Sequence, residues 1–394
     1  MRILVEEGRR FFGGLALLEQ PRIFAPDPAI LVVAATIEAL IESVGGTLGL
    51  PVAFEHAACG IPIDINCDVM PTHSPVPTTT LRVATRASEL ALRQARQVAT
   101  VLAAHGVHTE LVAFKTAGDK RVDQPLREIG AKGLFTNELE TALAQGKVDC
   151  CVHSLKDLPT DSPQGLTIAA VLEREDPRDV LVVNESIAAE SLDELPRGSR
   201  VGTSSLRRRA QLRAARPDLD VVDLRGNVPT RVRKVDEGQV HAAILAAAGL
   251  RRLDAHGRIS AWLDAPEWLP APGQGAIAVQ ARADDAPALG ILARLNHGPT
   301  ALAVAAERAF LAALEGGCQV PIGALVMPDA SGLVLHGLIA DVDGRRVLRG
   351  NTSVDPADPA ASGASLAAEL LRRGAAEILA GLRGLEAVPA PQPE

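Results

Sequence analysis

The chain has 394 residues, enough for two or three domains, and its formal net charge of −8 speaks against a general nucleic-acid binder. Aromatic residues make up only 2% of it, so its cores must be built from Ala, Leu, Val and Ile. The five cysteines form no CxxC and no zinc-ligand spacing, which gives no sign of a structural zinc site, and so odd and sparse a set suggests a reducing compartment.

No apolar run reaches the roughly 18–20 residues that cross a bilayer. The nearest, 29–44, is interrupted by Glu38 and Glu42. The first twenty residues carry Glu6 and Glu7 beside arginines and make a poor signal sequence. A cytoplasmic protein without a membrane partner is expected.

Residues 1–77 have weak periodicity and run into a Pro/Thr linker at 71–80, just after Met70. They read as an extension, either an accessory segment or a start placed too early. Regular alternation begins at 81. A strand at 81–85 is followed by a helix capped by Ser88, with Ala91, Ala95, Val98 and Leu102 on one face. A strand at 111–114 and a glycine-bearing loop at 116–135 come next, then a helix ending near Gly146. The buried run 148–152, containing Cys150 and Cys151 as small core residues, leads into His153-Ser154-Leu155-Lys156-Asp157-Leu158-Pro159-Thr160. In open α/β sheets ligands sit beyond the carboxyl ends of strands. Asp157 falls there, and it is expected to carry the chemistry; His153 is expected to be structural.

The polar run 173–179 reads as a crossing between domains. Strands are then expected at 180–183, 200–203, 220–224 and 242–246, with helices between them. A further strand at 276–280 could return the chain to the first domain. Strands alternating with helices imply a largely parallel sheet. From about 300 an α+β pattern takes over: a helix to Leu314, the loop Glu315-Gly316-Gly317-Cys318, two or three strands, and one long helix at 365–382. No internal repeat is visible, and a Pro-rich tail follows Val388.

Between Arg197 and Lys234 stand eleven basic residues against Asp218, Asp220 and Asp223. Thr203-Ser204-Ser205, opening a helix that continues Leu206-Arg207-Arg208-Arg209, could cradle an anion; an ordinary Ser cap with exposed arginines is the competing reading. Arg225-Gly226-Asn227 to Arg231 repeats the theme after the next strand, and Arg86, Arg251 and Arg252 follow other strands. Arginine suits bidentate carboxylate or phosphate binding. No Walker A motif and no GxGxxG is present, which argues against a nucleotide. Cys318, behind two glycines, could be a nucleophile, a covalent attachment point or an incidental thiol.

These stretches together resemble the porphobilinogen deaminase (hydroxymethylbilane synthase) family. The resemblance is carried by Ala84-Thr85-Arg86-Ala87-Ser88, Gly118-Asp119, Lys132-Gly133-Leu134-Phe135, His153 to Asp157, residues 173–179, Gly202 to Arg208, Leu224-Arg225-Gly226-Asn227, Pro272-Gly273-Gln274-Gly275 and Glu315 to Pro321. It runs from about 81 to 385.

The resemblance implies polymerisation of four porphobilinogen molecules with loss of ammonia, on a dipyrromethane cofactor held by a thioether to Cys318. Asp157 matches the family's catalytic aspartate. Lys132, Ser154, Lys156, Ser205, Arg207, Arg208, Arg225 and Gly226 are implied for the cofactor, and Arg86, Ser88, Arg225, Arg231 and Arg252 for the substrate. No metal is implied. Glu128 stands where some relatives carry a basic residue.

The implied α/β architecture is two lobes resembling those of periplasmic binding proteins around a central cleft, plus a small α+β C-terminal domain. The expected division is 1–77 extension, 78–174 with 275–297 as domain 1, 175–274 as domain 2, 298–388 as domain 3 and 389–394 as tail. A monomer with a small-molecule substrate and no nucleic-acid partner is expected. A binding protein built on the same two lobes, or a nucleic-acid binder using the arginine island, are the rival readings.

Overall fold

The computed structural model describes residues 80–116, 136–314, 320–330 and 332–386. The proposed extension, the loop at 117–135 with Lys132 and Glu128, Cys318, and the tail lie outside the described residues.

The first lobe is a five-stranded sheet built from β1 (Thr80–Arg86), β2 (His108–Phe114), β3 (Cys150–Ser154), β4 (Leu166–Val171) and β10 (Ile277–Arg282), in the order β2-β1-β3-β10-β4. Its strands form because short apolar runs can be buried on both faces. Helix α1 (Glu89–Ala104) covers one face with Ala95, Val98 and Leu102. Helix α2 (Asn137–Ala144) covers the other with Leu139, Ala142 and Leu143. Successive strand residues point to opposite faces, so Cys150 joins the α1 side and Cys151 the α2 side. Burial pushes the Cys150 thiol up to about 12, as expected of an inert core residue.

The second lobe comprises β5 (Asp179–Val183), β6 (Arg200–Gly202), α3 (Leu206–Ala215), β7 (Asp220–Val222), α4 (Val228–Asp236), β8 (Ala242–Ala246), α5 (Ala247–Arg252) and β9 (Ala261–Leu263). Its sheet order is β7-β6-β8-β5-β9. In each sheet four strands run one way, and one strand is inserted antiparallel: β10 in the first, β5 in the second. Both inserted strands are the first to follow a crossing between lobes. The largely parallel sheet that was expected is present in both lobes, and only the inserted strand is reversed, because a strand arriving from the other lobe enters from the opposite end.

The two crossings, 172–178 and 264–276, lie against each other. The Glu175 N–H donates to Gly275 O at 3.3 Å. A Cβ on Gly275, whose φ is +88°, would stand 2.3 Å from Glu175 O, so only glycine permits this approach.

After α6 (Ala286–Leu292), the third unit packs α7 (Gly298–Ala313) and α8 (Pro359–Leu370) on an antiparallel sheet of β11 (Ile322–Asp329), β12 (Gly332–Ala340) and β13 (Val347–Ser353). The single long final helix that the periodicity predicts is instead broken at Gly374, with φ +108°, between α8 and α9 (Ala376–Glu386). Helix α7 also reaches the crossings. Fully buried Glu307 accepts two bonds from Arg174, at 2.6 and 3.0 Å, one from the Gly273 N–H at 2.7 Å and one from the Val326 N–H at 3.0 Å. A buried charge with every lone pair engaged is the arrangement that tolerates desolvation.

Candidate active site

Strand β3 ends at Ser154, and a single 3₁₀ turn, Leu155–Asp157, follows. Buried Leu155 fixes the turn: its N–H donates to Ala276 O at 3.0 Å, and Leu158 N–H closes back on Leu155 O at 3.1 Å. Pro159 then prevents the turn from continuing as a helix. Asp157 is left half-exposed, lining a cavity with Arg86, Ser88, Gln94, Thr136, His153 and Ser154. None of the described residues hydrogen-bonds its carboxylate.

Cationic groups of both lobes surround it. Lys156, half-buried, donates to Gln274 Oε1 at 3.3 Å. Burial, with help from Arg208 and Arg207, pushes its pKa down to about 8 against the opposing pull of Asp157 and Asp179. Arg231, on the first turn of α4, is lowered to about 10 by burial, then by Arg208 and Arg225, with Asp157 opposing. Asp157 of one lobe and Arg231 of the other therefore sense each other's charge, and the strand ends of the two sheets face a shared cleft. Among the described residues, five electrostatically linked cations, Lys156, Arg207, Arg208, Arg225 and Arg231, stand against two carboxylates, Asp157 and Asp179. That surplus suits an anionic ligand.

Arg207 and Arg208 are not exposed. Both are buried on α3 and converge on fully buried Asp179, at 2.6 and 2.7 Å. Trp268 Nε1 and Gln274 Nε2 donate to the same carboxylate at 2.9 and 2.8 Å. Burial alone would raise the Asp179 pKa, but Arg207 and Arg208 outweigh it and hold the carboxyl far below its ordinary range. Arg207 also donates to Leu269 O, and Arg208 to Ile244 O. The buried Arg208 Nε has no partner among the described residues, which leaves one donor unspent.

Ser88 and Ser205 cap α1 and α3 by accepting from Ala91 N–H and Arg208 N–H; Ser88 also lines the cavity. Gly226, at φ +113°, turns its carbonyl onto Arg231 Nε at 2.8 Å, and a Cβ there would meet Thr230 at 2.8 Å. Arg252 does not line the cavity with Asp157; it donates to Gly275 O on the second crossing at 2.7 Å.

Two participants, Gln94 and Gln274, were not foreseen from the sequence. Gln94, buried on α1, donates to Ser154 Oγ at 2.9 Å beside the cavity; its signal is an amide on an otherwise apolar helix face. Gln274 bridges Lys156 and Asp179. His153 is buried and neutral, its pKa pushed down to about 4 by burial against the Gln280 hydrogen bond. It contacts Gln280 Oε1 at 3.1 Å, Gln280 donates to Glu140, and Glu140 accepts from Thr136. That network supports the structural role expected of His153.

A two-lobed α/β chain with an unspent carboxylate and a cationic surplus at facing strand ends is a cleft for small acidic molecules. The family description "Porphobilinogen deaminase, dipyromethane cofactor binding domain" matches residues 81–289, and "Porphobilinogen deaminase, C-terminal domain" matches 301–372. The porphobilinogen deaminase of Moorella thermoacetica is 53% identical over 305 residues, covering 76% of this chain and 95% of that protein. That of Xanthomonas euvesicatoria pv. vesicatoria is 50% identical over 306 residues, covering 77% and 100%. The chain belongs to the porphobilinogen deaminase family. Among solved structures it is similar to the methionine-binding protein MetQ, at 16% identity and a TM-score of 0.36, over 55% of this chain and 89% of that one.

Proposed function

We propose that Asp157 is the catalytic carboxylate of this chain, and that the cations around it gather the carboxylates of cofactor and substrate. The activity is that of the family: four porphobilinogen molecules are joined head to tail into hydroxymethylbilane, with release of ammonia, on covalently bound dipyrromethane. The observation that carries the assignment is the carboxylate of Asp157, without a hydrogen-bond partner among the described residues, in electrostatic reach of Arg231 and Lys156.

The cationic surplus and the spare Arg208 Nε fit a group bearing several carboxylates. Cys318 would hold it by a thioether. Lys132, Ser154, Lys156, Ser205, Arg207, Arg208, Arg225 and the Gly226 backbone would bind it, with Arg207 acting through its grip on Asp179. When bound, dipyrromethane supplies the pyrrole on which the chain grows. Arg86, Ser88, Arg225 and Arg231 would hold the acetate and propionate of porphobilinogen, with Arg252 at the crossing. Loss of ammonia from porphobilinogen leaves a cationic azafulvene. Asp157 stabilises that charge and can take up a proton, and in a partly desolvated cleft a fixed charge acts more strongly than in water.

The same proposal keeps the division into domains 78–174 with 275–297, 175–274 and 298–388. It describes a cytoplasmic monomer with no nucleic-acid partner. No helix among the described residues is long and apolar enough to cross a membrane.

Asp157→Asn should lower kcat by about 10² to 10³, the scale of a preorganised electrostatic group, while the intact mass still includes the cofactor. Cys318→Ser should lose that mass. An active Asp157→Asn, or a normal cofactor mass in Cys318→Ser, overturns the corresponding assignment.

A further inference from the structure

Upstream of Asp157 the chain is anchored by strand β3, by the Leu155 bond to Ala276 O and by the contact of Ser154 with Gln94. Downstream the chain leaves the sheet, and Pro159 has no N–H to pair. There a side chain from the third unit takes over. Arg308 of α7, in the third unit, donates from Nη1 to Leu158 O at 3.1 Å, and from Nη2 to Pro159 O at 2.7 Å and Thr160 O at 3.4 Å. One turn earlier on α7, Val304 packs in one buried cluster with Leu155 and Leu158. Helix α7 thus meets the turn twice, through an apolar contact and through a planar fork of donors.

We infer that Arg308 is a positioning residue for Asp157: by holding the three carbonyls that follow the acid, its guanidinium sets where the carboxylate is aimed. The inference rests on the reading that Asp157 is catalytic. An acid that stabilises a developing charge is sensitive to its placement, and a displacement of about 1 Å can cost about 10²-fold in rate. The neighbouring Glu307 holds Arg174 and the Gly273 N–H of the crossings. Adjacent residues on one helix therefore fix the crossings and the acid's turn together. A lysine could not replace Arg308, because a point-like ammonium lacks the fork that reaches successive carbonyls.

The test uses the full chain carrying its cofactor, verified by intact mass. Arg308→Met should lower kcat by about 10- to 100-fold and leave KM for porphobilinogen within about twofold, as expected when only transition-state stabilisation is lost. Arg308→Lys should recover only a small part of the rate. In an Asp157→Asn background, Arg308→Met should change the residual rate little, because the group it positions is gone. The inference is overturned if Arg308→Met keeps kcat, if its effect falls on KM alone, or if it lowers the residual rate of Asp157→Asn by the same factor as in the parent. Should Arg308→Met not fold, Arg308→Lys decides by the same readouts. A fully active Asp157→Asn overturns both readings, whereas an inactive Asp157→Asn beside an active Arg308→Met overturns this one alone.

Discussion

Asp157 and Asp179 each stand beside an arginine-rich cleft, and the protein treats them in opposite ways. Asp179 is fully buried and takes four donors, from Arg207, Arg208, Trp268 and Gln274. Asp157 is half-exposed, with no donor on its carboxylate among the described residues, while its backbone is fixed from both sides. The first is a charge spent on holding the second lobe together. The second is a charge held in place and kept available. Burial with full satisfaction makes a charge structural; a rigid backbone under an unspent group leaves it available for the chemistry proposed for Asp157.

The largest effect should come from removing the structural carboxylate. Asp179→Asn leaves two buried guanidiniums sharing a neutral partner, and breaking a buried pair costs about 3–5 kcal/mol. Urea unfolding should show that loss. The pH dependence sharpens it. Because the folded carboxyl is held far below its ordinary value, near 3.9 in the unfolded chain, its contribution is complete above that value and is lost progressively as pH falls below it. Asp179→Asn should therefore flatten the acid limb of the stability curve. An unchanged limb would mean that Asp179 is no more structural than Asp157.

Lys156 sits between the two aspartates and should show an intermediate effect. Its pKa, pushed down to about 8, leaves the ammonium charged below that pH and neutral above it. If it binds carboxylates, KM for porphobilinogen should rise as pH passes upward through about 8, by up to about tenfold for one charge-assisted contact. Lys156→Arg should remove the rise. A KM flat from pH 7 to 9 in the parent would place Lys156 with the structural group.

Much of this was legible in the sequence, for physical reasons. The runs that became β1, β3, β5, β8 and β10 are short, apolar and bounded by turn residues, so periodicity and length identify them. The acid at the end of β3 was legible because strand ends bind ligands in this class of fold. The partner of Arg207 and Arg208 was not. Asp179 closes the polar run 173–179, and nothing local says that it turns inward onto residues 28 and 29 positions away. Strands β4 and β9 were passed over; β9 is three residues long, too short to show a period. The antiparallel insertions of β5 and β10 depend on which lobe a strand arrives from. Arg308 carries no sequence signal at all, since its targets are backbone carbonyls some 150 residues away.

The smallest effect tests whether the comparison of two aspartates extends to the surface between the lobes. Arg93 of α1 reaches Asp254, just past α5, at 2.5 Å, and the two side chains are 38% and 74% exposed. Such pairs are worth about 0–1 kcal/mol because solvent already stabilises both charges. If this contact merely accompanies closure of the cleft, Arg93→Ala and Asp254→Ala should each alter KM by less than about fivefold, and the double variant by no more than either single one. Raising salt from about 0.01 M to about 1 M, which shortens the screening length from about 30 Å to about 3 Å, should erase the difference from the parent. A larger or salt-resistant change would show that an exposed ion pair can govern how the lobes meet, and that burial is then not what separates a working charge from a structural one in this molecule.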